Sequence, residues 1–83
     1  MPMPVVFRYK GVRFHFFANE GDPREPLHIH AVSANGEAKF WMYPEVRIAY
    51  SAGFDRRTLS EMMAVVADHR EQIERAWNEH FGS

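Results

Sequence analysis

Asn35-Gly36 lies between two runs that alternate apolar and polar residues, Leu27-His28-Ile29-His30-Ala31-Val32 and Glu37-Ala38-Lys39-Phe40-Trp41-Met42-Tyr43. No other feature limits the fold as much. Asn-Gly between alternating runs is the strongest short-range signal for a β-hairpin, and alternation gives each strand two distinct faces. With Asn35 and Gly36 as the two turn residues, Ala34 pairs with Glu37, Val32 with Lys39, His30 with Trp41 and His28 with Tyr43. One face then carries His28, His30, Val32, Lys39, Trp41 and Tyr43. The other carries Ile29, Ala31, Ala38, Phe40 and Met42, is wholly apolar, and is expected to meet the core. A one-residue slip of either strand would destroy this division.

The flanking segments extend the pattern. Val5 to Tyr9 and Val12 to Ala18 alternate, with Lys10-Gly11 between them as a tight turn. Val5, Phe7 and Tyr9 share a face opposite Arg8, and Val12, Phe14 and Phe16 alternate with Arg13, His15 and Phe17. Asn19-Glu20-Gly21-Asp22-Pro23-Arg24-Glu25-Pro26 reads as a loop. Pro44 interrupts the chain, and Val46 to Tyr50 resumes as a short fifth strand. Beyond Gly53-Phe54 the period changes: Leu59, Met62, Met63, Val66, Ile73, Ala76, Trp77 and Phe81 recur at helical spacing with no Gly or Pro among them. Asp55 can cap a helix beginning at Arg56, Thr58 and Glu61 offer an alternative capping box, and Gly82 supplies a stop. One helix over about 56–81 is predicted. It would be about 37 Å long, and Asp68-His69 is where so long a helix would kink. Strands followed by helix point to an α+β fold. The expected architecture is one domain, 1–83, with strands within 4–50. A four- or five-stranded, mainly antiparallel sheet carries one long C-terminal helix, straight or kinked, on one face.

Composition narrows the function classes. The 83 residues suffice for a single domain. The absence of cysteine excludes a disulfide framework, a thiolate metal site and a cysteine nucleophile. Secreted scaffolds of this size usually rely on disulfides, so a cytoplasmic location is expected. No apolar run approaches the ~20 residues that span a bilayer. Met1-Pro2-Met3-Pro4 lacks the features of a signal peptide, and no membrane partner is expected. A net charge of −1 argues against a non-specific nucleic-acid binder.

The histidine-bearing face admits three chemistries. His28 and His30, as a His-x-His pair on a strand, can ligate zinc or nickel with a third ligand from Glu20, Asp22 or His15. Alternatively, His28, His30 and Lys39 can act as base, acid and oxyanion stabiliser in an RNA-directed hydrolase. Trp41 or Tyr43 would stack a base, and Arg8, Lys10 and Arg13 would add local positive charge. In the third reading, His28, His30, Lys39, Trp41 and Tyr43 form a surface that binds a protein partner. The residue types leave enzymatic activity open. They equally allow histidines that only hydrogen-bond loop backbone. His69 and His80 are expected at the surface of the helix, not as ligands.

Several stretches occur here in a recognisable order: Val12-Arg13-Phe14-His15-Phe16-Phe17, Asn19-Glu20-Gly21, Pro26-Leu27-His28-Ile29-His30, Gly36-Glu37-Ala38-Lys39-Phe40-Trp41, Gly53-Phe54 and Ala76-Trp77-Asn78-Glu79-His80-Phe81-Gly82. Over about residues 4–82 the chain resembles the bacterial domain of unknown function family 4160 (DUF4160). The resemblance implies a small stand-alone cytoplasmic protein of unsettled activity. It also implies a protein partner encoded by a neighbouring gene, in a toxin–antitoxin-like pair. The family positions carried over are His28, His30, Glu37, Lys39 and Trp41, with Trp77 and Asn78 in the helix; Glu37 thereby joins the binding candidates. The loop Gly21 to Pro26 is longer than the family's usual link, and His80 stands where an aromatic is common. Oligomeric state is not legible, although an isolated sheet edge would invite pairing.

Overall fold

A computed structural model describes residues 5–17 and 25–82. Much of the expected loop, including Glu20 and Asp22, lies outside the described residues. The chain forms strands β1 (Val5–Tyr9), β2 (Val12–His15), β3 (His28–Ser33), β4 (Gly36–Trp41) and β5 (Arg47–Ala52), then helices α1 (Arg56–Asp68) and α2 (Arg70–Phe81). The five strands make one antiparallel meander in the order β1-β2-β3-β4-β5. This is the expected α+β class. Several expected boundaries move: β2 stops at His15, β3 and β5 each begin and end one or two residues later than expected, and β4 starts at Gly36 and ends at Trp41 instead of Tyr43, while Ala18 lies outside the described residues.

The β1–β2 turn follows from local chemistry. Tyr9 pairs with Val12, and Lys10 and Gly11 take φ values of 49° and 79°. Positive φ at both central residues is the turn whose twist matches a hairpin. Farther along β1 a bulge alters the expected faces. Val5 pairs with His15 and Phe7 with Phe14, so Val6 is the extra residue and packs with Phe7 and Tyr9 against the core. Val5 is exposed and no longer shares Phe7's face.

The central hairpin forms with its pairing moved by two residues. Ser33 pairs with Gly36, Val32 with Glu37, His30 with Lys39 and His28 with Trp41. The turn residues are Ala34 and Asn35, and the Asn35 N–H donates to Ser33 Oγ at 3.1 Å. Gly36 serves instead for close approach. A Cβ there would lie 2.2 Å from the Ala52 carbonyl oxygen, so the start of β4 can sit against the end of β5 only as glycine. Because the displacement is even, both faces survive. Ile29, Ala31, Ala38 and Phe40 are fully buried toward the helices.

The single long helix is corrected to two. His69, at φ −102° and ψ 17°, ends α1 and precedes α2. Its N–H is shared between the Val65 and Val66 carbonyls at 3.1 Å each, and its Nδ1–H donates to the Val65 carbonyl at 2.8 Å. Its ring stacks on Phe7 at 4.0 Å and 10°. A straight rod of about 37 Å would outrun a molecule measuring 34 × 28 × 20 Å. The break lets both segments lie on the sheet. The expected caps are present. Asp55 Oδ1 accepts from the Thr58 N–H at 2.7 Å, and Gly82, at φ 68°, donates its N–H to the Asn78 carbonyl at 2.9 Å.

Phe14, Phe16, Ile29, Phe40 and Met42 meet Met62, Val66, Ile73 and Trp77 in one core. Full burial of such side chains contributes about 1.5–3 kcal/mol each. Gln72 of α2 donates to the Val6 carbonyl at 3.1 Å, tying the β1 edge to the helix layer. Among the described residues, no helix is long and apolar enough to cross a membrane.

Candidate functional site

Strand pairing arranges the second face of the sheet in rows. Arg8, Arg13, Val32, Glu37 and Ala52 form the first row, His15, His30, Lys39 and Tyr50 the second, and His28, Trp41 and Arg47 the third. The face divides by burial. His15, His28 and His30 are 2%, 0% and 5% exposed. Arg8, Arg13, Glu37, Arg47, Tyr50 and Ala52 are exposed.

The histidines form one aromatic cluster. His28 and His30 lie 5.2 Å apart at 87°, and His15 and His30 lie 5.9 Å apart at 25°. Phe17 packs edge-on against His30 at 4.4 Å and against His15 at 5.0 Å. Trp41 and Trp77 enclose His28 at 5.5 Å and 5.1 Å. His28 Nδ1 lies 2.9 Å from the Pro26 carbonyl, and His15 Nδ1 lies 3.3 Å from the Phe16 carbonyl. A carbonyl only accepts, so each Nδ1 carries a proton and a metal on either ring would have to use Nε2. Among the described residues, no group of three His, Asp or Glu side chains is arranged to hold a metal ion.

Lys39 joins the cluster to its surroundings. Its Nζ lies 2.8 Å from Glu25 Oε1 and 4.4 Å from the centre of the Trp41 ring, and its side chain is 14% exposed. Trp41 is half-buried beneath it. Tyr43 is placed elsewhere. Strand β4 ends at Trp41, so alternation no longer governs position 43, and the Tyr43–Pro44 peptide bond is cis. The Tyr43 hydroxyl donates to Glu74 Oε1 at 2.9 Å, and the Arg70 guanidinium sits 5.0 Å over its ring. The Glu74 carboxylate raises the Tyr43 phenol above its ordinary pKa. Tyr43 thus belongs to the α2 side, not to the histidine face.

A groove of about 600 Å³ opens at the turn end of the sheet, lined among others by Tyr9, Lys10, Asn35, Gly53, Asp55 and Glu61. Glu61 accepts from Lys10 Nζ at 2.8 Å and also from the Tyr9 hydroxyl. The bonds from Lys10, then Tyr9, hold the Glu61 carboxyl below its ordinary pKa. Glu61 in turn raises Lys10 and Tyr9. These residues are far apart in sequence, and no local pattern announces them.

The structure brings together His28, His30, Lys39 and Trp41, and places Glu37 one row away. His15 stands out from the sequence only as a ligand type, because β2–β3 pairing spans a loop that does not set register. Glu25, Arg47 and Tyr50 carry no local signal; the bulge between the Lys39 and Phe40 pairings is what turns Tyr50 onto this face. No curated protein and no solved structure matches the chain. A family model described as "Domain of unknown function (DUF4160)" matches residues 11–78, which contain the His-x-His strand, the central hairpin, Trp77 and Asn78, and the chain belongs to that family.

Proposed function

We propose that this protein is a partner-binding module, and that its partner is the protein product of a neighbouring gene. As the family resemblance implies, the two would form a toxin–antitoxin-like pair in a bacterial cytoplasm. The binding surface is the exposed part of the second sheet face, Glu37, Arg47 and Tyr50, with half-buried Trp41 and Lys39 at its centre. One observation carries this reading: the face is split into buried histidines and an exposed polar–aromatic border. Acid–base chemistry needs imidazoles that reach a substrate, whereas His28 is enclosed by Trp41 and Trp77, His30 packs against Phe17, His15 and His28, and Lys39 is paired with Glu25. A docking surface needs exposed aromatic and charged groups, and Tyr50 is 46% exposed. It lies on β5, which among the described strands is hydrogen-bonded to β4 alone and forms an edge of the sheet, where pairing with another chain is favoured.

Co-purification tests the proposal. The neighbouring gene's product should be retained by the wild-type chain and lost with Tyr50→Ala combined with Trp41→Ala. The reading fails when the product is not retained, or is retained equally by the folded double variant.

A further inference from the structure

Arg8 on β1 and Arg13 on β2 are paired directly across the sheet, both exposed and both on the face away from the helices. Like charges directly opposite each other are destabilising in a sheet. Nothing in the fold requires this one. Val6, Phe7, Tyr9, Val12 and Phe14 make the core contacts of these strands. Among the described residues, neither guanidinium is held by an ion pair or a hydrogen bond or lies over a ring. The two neighbouring cations are neutralised, Lys10 by Glu61 and Lys39 by Glu25, at 2.8 Å each.

We propose that Arg8 and Arg13 form a carboxylate-docking pair for an acidic segment of the protein partner, an inference that rests on the partner-binding reading above. Arginine's planar fork matches a carboxylate in bidentate geometry, and two adjacent forks suit a segment carrying neighbouring Asp or Glu residues. Glu37 lies in the same row two strands from Arg13, about 10 Å away, and marks where the acidic segment must end. Nucleic acid fits less well. Phosphate-backbone binding draws on about 6–10 cationic contacts, and the described second face offers Arg8, Arg13 and Arg47 outside existing ion pairs. The Trp41 ring already has Lys39 over it and His28 against it, so it is not an open stacking platform.

The test is an NMR titration of the full chain with a blocked hexapeptide of alternating Asp and Glu. A blocked Asn/Gln hexapeptide and a uridine hexanucleotide serve as comparisons. The acidic peptide should shift the Arg8 and Arg13 side-chain signals to saturation. Its affinity should fall at least about threefold in Arg8→Gln or Arg13→Gln and decline with added salt. Both variants should stay folded, with thermal midpoints equal to or above wild type, because each removes a like-charge contact. Absent shifts at the two arginines, equal shifts with the neutral peptide, or tighter binding of the hexanucleotide would overturn the proposal. Co-purification separates the two readings. A partner retained equally by wild type and by the Arg8→Gln/Arg13→Gln variant refutes acidic docking and leaves partner binding standing. No retained partner, with the acidic peptide still bound, does the reverse.

Discussion

The backbones of Gly36 and Gly53 touch, so that a Cβ on Gly36 would lie 2.9 Å from Gly53 Cα and one on Gly53 would lie 2.2 Å from the Asn35 carbonyl oxygen. This contact joins the start of β4 to the end of β5 and anchors the edge strand of the candidate surface. Gly53 also sits at φ 89°, where L side chains are strained. Gly36→Ala and Gly53→Ala should each cost about 1–3 kcal/mol in urea unfolding. Gly11 has nothing within 4 Å of a built Cβ and only the cost of φ 79° to bear. Gly11→Ala should therefore be the mildest of the three.

His28 is assigned a structural role by its enclosure between Trp41 and Trp77 and its bond to Pro26. Truncation leaves a cavity and an unanswered carbonyl. His28→Ala should lower stability by about 2–4 kcal/mol. Denaturant midpoints measure it, and a wild-type midpoint would contradict the packing described.

Acid should weaken the fold through two carboxyls. The Thr58 N–H bond depresses Asp55, and the bonds from Lys10 and Tyr9 depress Glu61. A carboxyl whose folded pKa lies below its unfolded value leaves the folded state with fewer bound protons. Its stabilisation is present above the unfolded value of about 4 and is lost as pH falls through the folded value. Stability measured against pH should decline below about pH 4. Asp55→Ala and Glu61→Gln should be less stable than wild type at neutral pH and converge with it in acid. An unchanged gap between variants and wild type at low pH would refute the linkage.

Arg8→Glu replaces a like-charge pair by an opposite-charge one across β1 and β2. It should raise stability by about 0.2–1 kcal/mol while weakening partner retention. Thermal unfolding and co-purification on the same preparation read the two effects separately.

What was legible in the sequence was local. The Lys10-Gly11 turn, the Asp55 and Gly82 caps and the apolar face of Ile29, Ala31, Ala38 and Phe40 depend on neighbours in the chain or on simple alternation, and each is present. The Asn35-Gly36 signal identified the hairpin and its faces but misplaced the pairing, because Gly36 answers to Gly53 across the sheet. The break at His69 was expected only from helix length; its ring partner, Phe7, lies at the other end of the chain. Tyr43 was misassigned because alternation was carried past the end of β4. Burial of the histidines was not legible, since the Phe17 ring and the Pro26 carbonyl that meet them lie after β2 has ended and before β3 begins, where alternation no longer sets position.

The central claim is that the exposed border of the second sheet face binds a protein while the histidines hold the sheet together. The most direct test is calorimetric titration of the neighbouring gene's product into wild type and into Arg13→Gln/Tyr50→Ala, two exposed changes that spare the core. The account predicts measurable binding that weakens at least about tenfold in the variant with no loss of thermal stability. Equal affinity for the two proteins, or no binding to wild type, would contradict it.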